Sequence, residues 1–191
     1  MLTLQDLQIA DRMRPVQLIA LKMKFFGDGL SQGEISRAEE IAGAAFSDDF
    51  KLFLSNLEDP AGLFFDWRNV TRASYTTAMN RVLDGVLFDV EHNAFWHPSL
   101  GSAPESAQDR TSIVRQAFQA WPKLASVYKH RFLPIEPLRS GNPVLSIWQT
   151  DIIAYGENLI DYLYSEFNLD PRMRPDFSAT PTLSIPIWYE T

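Results

Sequence analysis

The densest run of chemistry-bearing side chains in this 191-residue sequence is Asp89-Val90-Glu91-His92-Asn93-Ala94-Phe95-Trp96-His97, where two carboxylates and two imidazoles lie among aromatic rings. Carboxylate and imidazole together are the material of acid/base chemistry or of a metal site. The spacing works against both in regular structure. His92 and His97 are five residues apart, so a helix does not stack them as it stacks residues i and i+4, and an extended strand sends them to opposite faces. A loop could join them; otherwise the polar groups hydrogen-bond a turn while Phe95 and Trp96 pack. A second set is His130-Arg131 with Asp151, because an aspartate can orient an imidazole and a guanidinium holds an acidic group through its fork of donors. Glu91, His92, His130, Arg131 and Asp151 together form a candidate polar pocket. Asp66 beside Trp67 is a third candidate, a carboxylate next to an aromatic anchor of the kind found at interface rims.

What is missing narrows the chemistry further. With no cysteine there is no disulfide framework, no thiolate nucleophile and no sulfur-ligated metal, and a reducing compartment fits. Gly27-Asp28-Gly29 lacks the preceding strand and the later glycine of a phosphate loop, and no Gly-Lys-Ser or Gly-Lys-Thr occurs, which disfavours nucleotide hydrolysis. No serine sits in a Gly-x-Ser-x-Gly elbow, so any imidazole base must come from His92, His97 or His130. The expectation is a chain without catalytic residues, metal or cofactor.

Seventeen Lys and Arg face 24 Asp and Glu, a net charge of −7. Residues 1 to 26 hold four cations (Arg12, Arg14, Lys22, Lys24) and two acids (Asp6, Asp11), leaving 13 cations against 22 acids, or −9, for the remainder. That balance disfavours direct nucleic-acid binding, which needs a cationic patch to displace counterions, and suits a basic partner or plain solubility. No cationic leader precedes an apolar run, and no window reaches the ~18 apolar residues of a bilayer span. The expected setting is cytoplasmic, without membrane contact.

The elements that must position these groups follow from capping and periodicity. Thr3 to Asp6 has capping-box character and opens a first helix that Pro15 ends or kinks, with a second from Val16 to Phe26. Ser31-Gln32-Gly33-Glu34 is another capping box, and Ile35, Ala38, Ile41 and Ala42 line one face of a helix over 34–44. Ser47-Asp48-Asp49 starts a further helix with the stripe Phe50, Phe53, Leu54 and Leu57. Leu63-Phe64-Phe65 reads as a strand, and so does Val86-Leu87-Phe88, with a helix between them through Tyr75, Ala78, Met79 and Val82 that Gly85 closes. Ile113 to Trp121 carries an amphipathic helix ended by Pro122. Val127 to Leu133 and Val144 to Trp148 read as strands around a turn at Ser140-Gly141-Asn142. Asn158 caps a helix bearing Leu159, Leu163 and Phe167, and Leu183 to Tyr189 reads as a terminal strand, at an edge because Pro186 cannot donate to a ladder. Short connections favour antiparallel pairing, so the class is α+β, a mainly antiparallel sheet flanked by helices.

Taken in order, these segments resemble the SUKH superfamily, the group of a fungal cell-wall-synthesis regulator and many bacterial toxin-immunity proteins. The resemblance is carried by Leu30-Ser31 through Glu39, and by Phe46-Ser47-Asp48-Asp49-Phe50-Lys51 with Phe53-Leu54, where Ser47 stands in the usual proline position. It continues through 62–67, 85–96, 128–134, 141–146, 149–155 with 159–167, and Ile185-Pro186-Ile187-Trp188. It spans residues 30–191 as one domain and leaves residues 1–29 as an N-terminal helical extension. What it implies is a SUKH-like α+β fold without an established catalytic site. The function expected is protein binding without catalysis, as an immunity protein neutralising a toxin that is basic because it engages phosphates. The surface expected to do this is acidic and aromatic: Asp66, Trp67, Asp89, Glu91, His92, Asn93 and Trp96. The rival readings are a regulator or scaffold for a cellular partner, and a small-molecule or metal-dependent enzyme built around His92 and His130.

Overall fold

The computed structural model describes residues 28–59, 61–167, 172, 174 and 185–189. The two helices expected before residue 27, and the first two residues of the terminal strand expected from Leu183, lie outside these residues. Helices α1 (Gln32–Ala42) and α2 (Asp48–Asn56) lead to a long α3 (Arg72–His92). A single 3₁₀ turn (Pro98–Leu100) and α4 (Ala107–Phe118) follow. Four strands come next, β1 (Leu124–Tyr128), β2 (Arg131–Pro134), β3 (Val144–Trp148) and β4 (Asp151–Gly156), and then α5 (Leu159–Glu166). The strands form one antiparallel sheet in the order β1-β2-β3-β4, flanked by helices, an α+β fold.

Strand parity divides the core in two. Ala125, Val127, Leu133 and Val144 face α1, α2, α5 and the 64–70 segment, whereas Leu124, Phe132, Leu145 and Ile147 face α3, α4 and the 185–188 turn. Successive side chains of a strand point to opposite faces, so a sheet covered on both sides has apolar residues at consecutive positions. That is why buried apolar residues stand side by side at Leu124-Ala125, Phe132-Leu133 and Val144-Leu145.

Several helix starts are as the caps predict. Ser31 accepts from the Glu34 amide while the Glu34 carboxylate accepts from the Ser31 amide, and Asn158 Oδ1 accepts from the amides of Ile160 and Asp161. Ser47 sits at the N-cap of α2, but its hydroxyl makes no cap bond and is buried without a partner. The α2 start is held instead by Asp49, whose Oδ2 accepts from the Gly141 amide at 2.9 Å.

Five expectations are corrected. Val86-Leu87-Phe88 is not a strand and Gly85 does not end the helix: α3 runs through both, because Val82, Leu83, Val86, Leu87 and Val90 recur at helical spacing. Glycine is there for space, since a Cβ at Gly85 would lie 3.0 Å from Gln149 Cα. Leu63-Phe64-Phe65 is loop, tied to β1 by one bond from the Phe65 amide to the Val127 carbonyl at 3.0 Å. The strand read over 127–133 is a hairpin, turned by Lys129 at φ 49° and by His130. Leu183 to Tyr189 is not a strand over its described part; residues 185–189 make a tight turn closed by an Ile185–Tyr189 bridge.

Gly156 fixes how β4 hands over to α5. A Cβ on it would lie 2.5 Å from both the Cα and the amide nitrogen of Tyr162, atoms that cannot swing aside. Gly156→Ala is therefore expected to cost at least about 1–3 kcal/mol, the usual penalty of forced overpacking, read as a lower urea midpoint at unchanged m-value.

Candidate functional site

Two surfaces collect the residues singled out from the sequence. The first lies beyond β1. Trp67 is 3% exposed, so it does not project as an anchor. Its Nε1 donates to the Ser126 carbonyl at 2.9 Å, and its ring meets Phe46 edge-on at 5.1 Å. The chain on either side of this fixed ring walls a cleft of about 420 Å³ over Phe64, Phe65 and Trp67, and Asp28, Glu58, Asp59 and Asp66 line it. Among the described residues the cation in the lining is Arg68, already engaged: it donates to Glu34 Oε1 at 2.8 Å and to the Asp28 carbonyl at 2.6 Å. Asp66 is exposed and accepts from the Asn69 amide and side chain, both at 3.0 Å. Asp59 Oδ2 accepts from the Phe64 amide at 2.6 Å, while its Oδ1 is buried without a hydrogen bond.

The second surface is the end of the sheet where both hairpins turn. Asp89, 5% exposed on α3, accepts from the Thr150 amide at 2.9 Å, from Thr150 Oγ1 at 2.5 Å and from Asn93 Nδ2 at 2.5 Å. Burial pushes its carboxyl upward, but the bonds from Thr150 and Asn93 outweigh this and hold it below the ordinary aspartate range. Asp89 is thus the anchor of the β3–β4 turn. Beside it His92 stacks on Phe88 at 4.4 Å with Nδ1 2.9 Å from the Phe88 carbonyl, and Glu91 is exposed. Trp96 Nε1 donates to the Gly101 carbonyl at 2.8 Å, and His97 Nδ1 accepts from the Ser99 amide, capping the 3₁₀ turn.

The five residues of the candidate polar pocket do not pair as their types suggested. Arg131 is 8% exposed and meets Glu166, not Asp151: Nε donates to Glu166 Oε2 at 2.9 Å and a terminal nitrogen to Ser146 Oγ at 2.8 Å. Its guanidinium lies 3.7 Å over the Tyr155 ring. Asp151 is exposed opposite Trp148 on the neighbouring strand. The His130 ring meets Trp148 edge-on at 5.8 Å, and burial together with the nearby Arg131 charge lowers its pKa. Among the described residues no three His, Asp or Glu side chains are grouped as metal ligands, and no helix is long and apolar enough to cross a membrane.

The sequence reading missed Thr150, Glu166 and Trp148. Nothing local marks the first two, whose partners are 61 and 35 residues away. Trp148 had a signal: it shares parity with Ser146 rather than with the buried Leu145 and Ile147, and it is 65% exposed. No protein-family model, curated protein or solved structure matches the chain.

Asp89→Asn is expected to destabilise the fold by about 1–3 kcal/mol at pH 7, the usual cost of weakening buried hydrogen bonds to a charge. A carboxylate held below its ordinary value of 3.8 contributes fully above that pH, and the contribution drains as pH falls through the lower folded-state value. Urea denaturation at pH 7 and pH 3 should therefore show the gap between the wild-type chain and Asp89→Asn shrinking on acidification.

Proposed function

We propose that this chain is a non-enzymatic protein-binding domain that takes a basic partner at the cleft above Trp67. In keeping with the SUKH-like order of its segments, the partner is a toxin that the chain neutralises. The observation that carries the reading is the make-up of the cleft among the described residues: carboxylates at Asp28, Glu58, Asp59 and Asp66 over an aromatic floor, with Arg68 already committed to Glu34 and the Asp28 carbonyl. A cleft of one sign over low-dielectric walls concentrates field lines and draws in oppositely charged groups. The net charge of −7 adds long-range attraction, which raises association rates more than it raises affinity. Lys and Arg side chains on a partner would find both carboxylates and ring faces there, the pairing that suits a guanidinium above all.

The test begins with the products of genes adjacent to the one encoding this chain. One of them should be toxic alone, bind the purified chain with an affinity that falls as salt rises, and be silenced by co-expression. The double charge reversal Glu58→Lys/Asp66→Lys should weaken binding at least tenfold, flatten the salt dependence and abolish rescue, with a melting temperature within a few degrees of the parent. If no adjacent product binds, or if the reversal binds as tightly as the parent, the reading fails.

A further inference from the structure

The two long edges of the sheet are finished differently. Beyond β1, carbonyls receive donors from outside the sheet: Leu124 from the Tyr75 hydroxyl at 2.9 Å, Ser126 from Trp67 Nε1 at 2.9 Å and Val127 from the Phe65 amide at 3.0 Å. At the other edge β4 pairs with β3 alone, and among the described residues no strand or side-chain donor meets its outer side. An edge strand is a row of unpaired amides and carbonyls, and proteins blunt it with lysine, proline, a bulge or a cover. Ile152-Ile153-Ala154 carries no charge, no proline and no bulge; the register shifts only at the far end of β4, where Tyr155 is the extra residue between Ala154 and Gly156. Apolar side chains on one face of this hairpin are exposed as well: Ile153 is 50% exposed and Trp148, on β3, 65%.

The charge around this edge narrows what would cover it. Segments 84–93 and 148–157 hold five carboxylates (Asp84, Asp89, Glu91, Asp151, Glu157) and no Lys or Arg. Asp89 is consumed by Thr150 and Asn93; on the adjacent hairpin, Arg131 is consumed by Glu166. A second copy is a poor occupant, because two-fold antiparallel pairing of β4 brings Asp151 of one copy toward Glu157 of the other. We propose that β4 is a docking edge to which a basic, extended segment of a partner adds as a fifth strand, seated beside exposed Ile153 and Trp148 with its cations beside Asp151. Main-chain bonds supply the affinity and alternate side chains the specificity. This rests on the binding reading above only in requiring a cationic partner; it concerns a different surface.

The probe is a capped decapeptide of alternating lysine and valine, with a control of equal charge N-methylated at every second residue so that one edge cannot hydrogen-bond. Amide hydrogen exchange is followed by NMR on the full chain. Binding should slow exchange at least tenfold for amides within Ile152–Tyr155, the control peptide should bind at least tenfold more weakly, and Ile153→Lys should reduce affinity at least tenfold. Glu58→Lys/Asp66→Lys should leave affinity within twofold, which separates this surface from the cleft. Trp148→Ala, at a highly exposed position, serves as a second variant if Ile153→Lys does not fold, and should weaken binding at least fivefold. Protection confined to residues 64–69, equal binding of the methylated peptide, or self-association of the chain that the peptide does not disrupt would each overturn the proposal.

Discussion

The exposed end of the β3–β4 hairpin depends on one buried carboxylate. Asp89 lies in the last turns of α3, where the helix dipole disfavours negative charge. It is kept ionised because Thr150 contributes both its amide and its hydroxyl, and Asn93 its side chain. One turn earlier on the helix, Gly85 leaves room for the Gln149 backbone. Helix and hairpin are thereby locked at two successive points, which sets the height of the β3–β4 turn. Trp148, immediately before that turn, is left outside the packed layer. Loss of the carboxylate would strand the Thr150 amide, and a side chain at residue 85 would push the turn away.

The same economy appears on the opposite side. Both covering layers reach around to β1 with side chains whose polar ends are needed there: Tyr75 from α3 and Trp67 from the 64–70 segment. Burial pushes the Tyr75 hydroxyl pKa up to about 12, consistent with a group that serves only as a donor to the Leu124 carbonyl. Trp188 does the equivalent one step further along, donating to the Pro122 carbonyl at 2.6 Å. Aromatic residues with a polar handle thus close one sheet edge while filling the core. Among the described residues β4 receives no such treatment, although Tyr155 belongs to it, because that ring is turned inward under the Arg131 guanidinium.

How legible this was in the sequence follows from the range of each interaction. Caps act over three residues, so Ser31 with Glu34, and Asn158, could be read directly. Strand β3 was legible from its β-branched and apolar run. The errors came where a distant contact overruled a local signal. Gly85 looked like a helix stop because glycine costs helix stability, and the reason for keeping it lies 64 residues away at Gln149. The turn at Lys129-His130 was invisible because neither residue is a usual turn former, yet Lys129 takes the left-handed conformation at φ 49°; Gln149 repeats this in the next hairpin at φ 58°. That Arg131 carries a fork of donors is plain from its type, but only the tertiary fold selects Glu166 over Asp151 as its partner.

The two candidate surfaces differ in what they could contribute to one partner. Exposed ion pairs are worth about 0–1 kcal/mol each and are screened by salt, so the cleft over Trp67 alone would give attraction and selectivity rather than a long-lived complex. Strand addition works the other way, giving directional main-chain bonds with little discrimination of sequence. The surfaces lie beyond opposite edges of a four-stranded sheet whose outer strands are about 14 Å apart at the usual strand spacing of ~4.8 Å, and they look away from each other. A single basic protein would have to pass over a covering layer of the sheet to engage both, drawn in by the cleft and retained by an extended segment at the edge. On that division of labour, salt should act mainly on the association rate, whereas a change at Ile153 should act mainly on dissociation.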